Sequence, residues 1–211
     1  MLLRAALALA AKNIAVFPCA PGQKTPACPH GHLEATTDVV AINAWWHENP
    51  AYNLAIATGS KSGIFVVDTD GVDAEAALIA LGELPKTVTV LTAKGRHRYF
   101  KLPPNLKMSC SVRKLAPGVG IDIRANGGFA VCPPSRHPDG PVYKWAKGTR
   151  TFADPPHQAE IIVNWLQMEM DHTAPIRMPT LNKLKGWRNI RGLVLTHEMP
   201  DWTASLDHRP R

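Results

Sequence analysis

Ser62-Gly63-Ile64-Phe65-Val66-Val67-Asp68-Thr69-Asp70-Gly71 runs four consecutive apolar residues into two aspartates and stops at a glycine. Glycines bracket the run, and its β-branched and aromatic content predicts a strand over residues 64–70. Residues two apart on a strand project to the same face, so Asp68 and Asp70 point the same way, about 7 Å apart, where Gly71 releases the chain. Paired carboxylates at a strand end suit a hard cation, because Mg²⁺ takes oxygen ligands and keeps some waters. Solvated strand ends of this composition are also common, so the pair alone leaves metal binding open.

A second stretch adds to it. Gly118-Val119-Gly120-Ile121-Asp122-Ile123-Arg124 reads as an apolar strand carrying one carboxylate, which is costly there unless paired or metal-bound. Arg124, two residues on and on the same face, offers a salt bridge as the plain structural reading. The chemical reading takes Asp68, Asp70 and Asp122 as three carboxylates on two strands, a set that could hold two metal ions. In such a site one ion activates an attacking hydroxyl, the other steadies a triphosphate and leaving pyrophosphate, and catalysis is mostly positioning and charge neutralisation. Between these stretches lies Lys94-Gly95-Arg96-His97-Arg98-Tyr99-Phe100. A basic, glycine-containing turn that includes Arg96 and feeds His97 on a strand suits a triphosphate clamp. A lone strand histidine is more often structural.

Working outward, the spacing of Leu3, Ala6, Leu7, Ala10, Ala11 and Ile14 predicts an amphipathic helix over residues 2–13. A short strand over 14–18 follows, then a turn-rich loop. Thr37-Asp38 caps a helix with Val39, Ile42, Trp45 and Trp46 on one side. Further strands are expected over 53–58, 87–92, 97–101, 120–124, 128–132 and 142–145, and helices over 73–81 and 159–170. Asn126-Gly127 predicts a hairpin joining 120–124 to 128–132, and Pro133-Pro134 ends the sheet. Helices intermixed with hairpins indicate an α+β fold with a largely antiparallel sheet. Beyond Asp171 prolines punctuate the chain and only residues 181–196 read as helical.

The chain has 211 residues and a formal charge of +7, which favours a polyanionic partner such as nucleic acid without requiring one. The charge is uneven. From Leu84 to Ile121 there is no acid, yet Lys86, Lys94, Arg96, Arg98, Lys101, Lys107, Arg113 and Lys114 all fall there, and residues 173–197 form a second acid-free basic stretch. Either is a phosphate footprint or a solvated face. The N-terminal apolar run is too short and too soon broken by Lys12 and Asn13 for a signal peptide, and no stretch reaches membrane-spanning length. Cys19, Cys28, Cys110 and Cys132 show no disulfide framework, which fits a reducing cytoplasm.

Taken in order, Lys24-Thr25-Pro26, Ala35-Thr36-Thr37-Asp38, Trp45-Trp46, residues 53–59, residues 62–70, residues 95–100, residues 120–124 and Pro133-Pro134-Ser135 resemble the bifunctional DNA primase/polymerase (Prim-Pol) domain of the archaeo-eukaryotic primase superfamily. The resemblance covers residues 1–170. It implies a small α/β module packed beside an RRM-like antiparallel sheet, with the active site between them. It also implies a template-directed DNA primase/polymerase, serving a phage, plasmid or other mobile element, that transfers nucleotides from (d)NTPs to a 3′-hydroxyl and releases pyrophosphate. Asp68, Asp70 and Asp122 map onto the family's ligands for two Mg²⁺ or Mn²⁺ ions. His97 maps onto its phosphate-contacting histidine, while Arg124, Ser135 and Lys24 match positions near the nucleotide. The expected partners are a DNA template and nucleotides, with no membrane. Many relatives continue into a helicase; with the sequence ending at Arg211, a helicase would be a separate protein, or the chain a fragment. Relatives often carry Gly-Gly before x-His, where this chain has Lys94-Gly95-Arg96. Residues 171–211 fall outside the resemblance and read as a basic tail or small helical appendage.

Three other readings compete. Cys28-Pro29-His30-Gly31-His32 lacks the second ligand pair of a zinc finger. The same histidines sit in a Pro/Gly loop, not on the apolar strand of a rolling-circle nickase. A catalytically inactive primase-like module that only binds single-stranded DNA would use the basic and aromatic residues, but has no reason to hold three acids toward a polyanion.

Overall fold

The computed structural model describes residues 1–80, 84–104, 106–111 and 120–148. The element order is α1 (Leu2–Ala10), β1 (Val16–Cys19), a 3-10 turn (Gly31–Glu34), α2 (Val39–Glu48), β2 (Asn53–Ala57), β3 (Ile64–Asp70), α3 (Val72–Ala80), β4 (Thr89–Leu91), β5 (Gly95–Lys101), β6 (Gly120–Arg124), β7 (Phe129–Val131) and β8 (Lys144–Trp145). Every described strand pair is antiparallel, so the α+β expectation holds.

The strands form two sheets, β1-β2-β7 and β6-β3-β5-β4-β8. The first packs with α1 and α2. Asp38 starts α2 by accepting a hydrogen bond from Val40 N at 2.8 Å, the expected cap. Ile42 and Trp46 are buried; Trp46 also donates from Nε1 to Tyr52 O at 3.0 Å. Trp45 packs edge-on against it and is only partly buried.

β3 explains its own composition. It lies between β5 and β6 with both faces covered, so its apolar residues run continuously instead of alternating. Ile64 and Val66 enter the core shared with the first sheet, while Phe65 and Val67 enter a second core beneath α3, with Leu78, Phe100, Ile121 and Ile123. Burying both faces removes register freedom: a slip of one residue would exchange the two cores and turn the aspartates to the wrong side.

One expectation is corrected. The chain does turn at Asn126-Gly127, and Gly127 has a φ of +78°, but no hairpin forms there. β6 pairs with β3 in one sheet and β7 with β2 in the other. The corner is held from outside: Asn126 Oδ1 accepts from Ser60 N at 2.8 Å, Asn126 N donates to Met108 O at 3.0 Å, and Thr58 Oγ1 donates to Ala125 O at 2.7 Å. The dipeptide supplies the turn, but tertiary hydrogen bonds decide which strands it joins. The β4–β5 hairpin forms as expected, and Pro133-Pro134 follows β7 through a cis bond. The helices expected over 159–170 and 181–196, and the boundary expected after residue 170, lie outside the described residues. Among the described residues no helix is long and apolar enough to cross a membrane.

Candidate active site

The register of three strands builds the site. Asp68 on β3 lies directly across from His97 on β5 and, on its other side, from Asp122 on β6. Cross-strand partners share a face, so Asp122, Asp68 and His97 form one row. The next row, toward the strand end, is Gly120, Asp70 and Gly95; the row before is Arg124, Val66 and Tyr99. Asp70 is therefore flanked by two glycines and stays exposed, whereas Asp68 is enclosed by functional side chains.

The glycines are required by close approach. A Cβ at Gly95 would lie 1.8 Å from Thr69 O, and one at Gly120 would lie 2.9 Å from Asp70 Cβ.

Arg124 bridges the carboxylates. Its Nη2 donates to Asp122 Oδ2 at 2.8 Å and lies 3.4 Å from Asp68 Oδ2. The salt bridge read from the i, i+2 spacing is thus real, and it extends across to the neighbouring strand. Asp68 Oδ1 is buried and among the described residues accepts no hydrogen bond, though His97 Nε2 stands 3.4 Å away. Burial, reinforced by Asp70 and Asp122, pushes the Asp68 carboxyl up to about 6, against the pull of Arg124 and Lys24. Burial and the charges of Lys24 and Arg124 hold His97 down at about 3. His97 is therefore a neutral imidazole at physiological pH, and its contact with Asp68 is not an ion pair.

Asp68 and Asp122 face one another across two strands with a single guanidinium between them, Asp70 stands one row on, and among the described residues Asp68 Oδ1 has no donor; oxygen donors of this kind are those a hard divalent cation takes. Like charges held together in a partly buried place raise one another's proton affinity until a cation neutralises them. Among the described residues no group of three His, Cys, Asp or Glu side chains is placed to hold a metal ion as it stands, and Arg124 sits between two of the candidate carboxylates. In the Cys28–His32 loop, Cys28 Sγ contacts Gly31 O at 3.5 Å.

The remaining expected residues divide. Lys24 is an exposed loop residue whose charge acts on Asp68 and His97. Ser135 is fully buried, and its hydroxyl accepts from Leu54 N at 2.7 Å and contacts Leu54 O at 3.2 Å, tying the segment after the cis-proline to β2. Arg96 projects to the opposite face of the sheet from Asp68. There Glu75 of α3 receives Arg98 through both carboxylate oxygens, contacts Thr69 Oγ1, and lies 3.9 Å from Arg96 Nε. Thr69 stands between the two aspartates in sequence, so this buried cluster grips β3 from behind.

Two residues near the site had no role assigned from the sequence. Tyr143 places its ring 5.9 Å from that of His97, and His137 places its ring 5.5 Å from that of Tyr143. His137 lies on irregular chain after β7, where no periodicity assigns a face, and Tyr143, inside the strand expected over residues 142–145, stands just before β8, which begins only at Lys144. The only available cue was that His137 falls two residues after Ser135.

A family model described as bifunctional DNA primase/polymerase, N-terminal, matches residues 6–159. None of the curated proteins compared matches the chain.

Proposed function

The chain belongs to the bifunctional DNA primase/polymerase N-terminal family, and from that premise we propose that it is a template-directed nucleotidyltransferase, joining (d)NTPs to a 3′-hydroxyl with release of pyrophosphate in the replication of a mobile element. The observation that carries the reading is the row Asp122–Asp68–His97 with Asp70 one step beyond, because it gathers acids and a neutral imidazole on one face of one sheet. In this reading the two sheets correspond to the family's small α/β module and its RRM-like sheet, whose strands lie in the order β6-β3-β5-β4-β8.

Asp68, Asp70 and Asp122 would hold Mg²⁺ or Mn²⁺, which supplies charge neutralisation for the triphosphate and acidifies the attacking hydroxyl. The chain's own groups do the rest. His97, neutral and buried, offers a hydrogen bond to phosphate without adding a fixed charge to the floor of the site. Arg124, anchored on the carboxylates, turns its guanidinium toward phosphate once they are otherwise neutralised. Lys24 contributes positive charge at the mouth. Ser135 and Arg96 act through what they hold, the backbone at Leu54 and the Glu75 cluster. The basic segment of residues 84–121 suits a DNA template, and residues 171–211 read as a separate basic appendage.

Nucleotide incorporation on primed and unprimed single-stranded templates with Mg²⁺ or Mn²⁺ tests the proposal. Synthesis is expected from the wild type and none from Asp68→Ala plus Asp70→Ala. Undiminished synthesis by the double variant would remove the metal site. Template binding without incorporation under any of these conditions would favour the inactive single-stranded DNA-binding module.

A further inference from the structure

His137 lies outside every sequence motif used above, yet the fold brings it to the mouth of the site. The loop that carries it is closed on itself: His137 N donates to Pro141 O at 2.7 Å, and Gly140 N donates to His137 O at 2.8 Å. It is also strapped across the β4–β5 turn, where Asp139 Oδ2 lies 3.4 Å from Lys94 Nζ. Lys94 precedes Gly95, the residue directly across from Asp70, and Lys94 O accepts from Gly71 N at 3.0 Å. The strap is therefore tied to the turn beside the strand end that carries Asp70. Tyr143 contacts both imidazoles at a tilt, with its ring 5.5 Å from that of His137 and 5.9 Å from that of His97.

The hydrogen bonding of the loop fixes the His137 tautomer. Asp139 N donates to His137 Nδ1 at 3.1 Å. A nitrogen that accepts carries no proton, so in the neutral ring the proton is on Nε2. Burial and the charge of Lys24 favour that neutral ring. Among the described residues Nε2 donates to no acceptor, while the side chain is only 11 % exposed. Asp139, whose Oδ2 lies 3.6 Å from Nδ1, and Lys24, Lys94 and Asp70 are the charged groups around it; Asp139 and Asp70 favour the charged ring, and burial and the two lysines outweigh them.

We propose that His137 is a second nucleotide-contacting imidazole, donating from Nε2 to an oxygen of the incoming triphosphate while His97 contacts it from the floor. This rests on the nucleotide-binding part of the reading above. The two histidines then bracket the aspartates, one from the sheet and one from the strap, and the Lys94–Asp139 pair sets the height of the strap.

Two variants separate a contact with ligand from a role in the loop. Asparagine can still accept from Asp139 N with its side-chain oxygen but does not reach as far as Nε2. Glutamine carries an amide nitrogen to about the Nε2 position and gives up the Nδ1 acceptor. Equilibrium binding of a fluorescent deoxynucleoside triphosphate with Mg²⁺ is expected to weaken roughly tenfold or more in His137→Asn, as loss of a charge-assisted hydrogen bond implies. His137→Gln is expected to stay within about threefold of wild type on the same scale. Anisotropy of a labelled single-stranded oligonucleotide should be unchanged in both. Wild-type nucleotide affinity in His137→Asn overturns the inference, as does equal loss in the two variants, which would assign His137 to loop structure. If the wild type binds nucleotide but incorporates none, while His137→Asn still loses binding, this inference stands and nucleotidyl transfer falls. If the wild type makes DNA and His137→Asn is indistinguishable from it, the reverse holds.

Discussion

Arg124 and Asp122, two residues apart on β6, close an ion pair at 2.8 Å, and the same Nη2 reaches Asp68 on the neighbouring strand at 3.4 Å. One guanidinium thus bridges two of the three carboxylates and stands where a bound cation would compete with it. Arg124→Ala should lower metal-free stability by about 1–3 kcal/mol, the usual worth of hydrogen bonds to charged groups. It should also make the protein more responsive to metal: added Mn²⁺ should raise the melting temperature more in the variant than in the wild type. An equal or smaller rise would show that Arg124 and the cation do not compete. Nucleotide affinity with saturating metal should fall in the same variant, because the guanidinium is no longer there to turn toward phosphate.

The proton on Asp68 gives a pH dependence with a definite sign. Its folded value of about 6 lies above its ordinary 3.8. The fold therefore prefers the protonated form; that contribution is complete below about pH 4 and is lost as pH rises through 6. The difference corresponds to about 3 kcal/mol between protonated and ionised forms. Asp68→Asn, which keeps the shape and removes the charge, should stabilise the metal-free protein at pH 8 and abolish synthesis. Chemical denaturation at pH 5 and pH 8 measures this, and the stabilisation should be much smaller at pH 5. Destabilisation at pH 8 would mean that the pair with Arg124 outweighs burial.

Glu75 holds the back of the site. It is buried and faces Arg98, Arg96 and Thr69, and the hydrogen bonds and charge of Arg98 draw its carboxyl below the usual range against its burial. That contribution is present at neutral pH and is lost as pH falls through the lowered value. Glu75→Ala leaves two arginines facing a buried position and should cost about 3–5 kcal/mol. Unfolding in urea measures the loss. Because Thr69 lies between Asp68 and Asp70, synthesis should fall further than the population of folded protein accounts for.

The sequence made β3 legible almost to the residue, because an apolar run ending in D-x-D between glycines has few other readings, and β6 followed from its isolated carboxylate. Local spacing therefore revealed which side chains share a strand face. It could not reveal the order of strands, and so could not show that Asp68 sits between Asp122 and His97; that depends on pairing between segments 29 and 54 residues away in sequence. The same limit explains the missed corner at Asn126-Gly127, where Ser60 and Met108 decide the outcome. It explains Arg96 as well. Its place in a basic turn suggested phosphate, but strand alternation from His97 turns it to the far face, and only the helix behind the sheet reveals Glu75 as its partner.

The glycine beside Asp70 provides the sharpest test of this register. A methyl group at Gly95 would sit 1.8 Å from Thr69 O. The obstacle is backbone, so no rotamer change relieves it, and β3 and β5 must part at the end that carries Asp70. Gly63 has a left-handed φ of +64°, yet a Cβ there meets no atom within 4 Å. Gly63→Ala should therefore cost only its conformational penalty, about 1–2 kcal/mol, and leave nucleotide incorporation close to wild type once folded protein is accounted for. Gly95→Ala should cost more than that, since strain from overpacking typically adds about 1–3 kcal/mol and here the backbone itself must move. Nucleotide incorporation should be lost even where the variant is folded, because Asp70 moves with the strand. Urea unfolding of both variants, read beside incorporation at a temperature where both are folded, separates strain from function. Equal stability and equal activity of the two variants would mean that the strands do not meet at Asp70 and Gly95 as described.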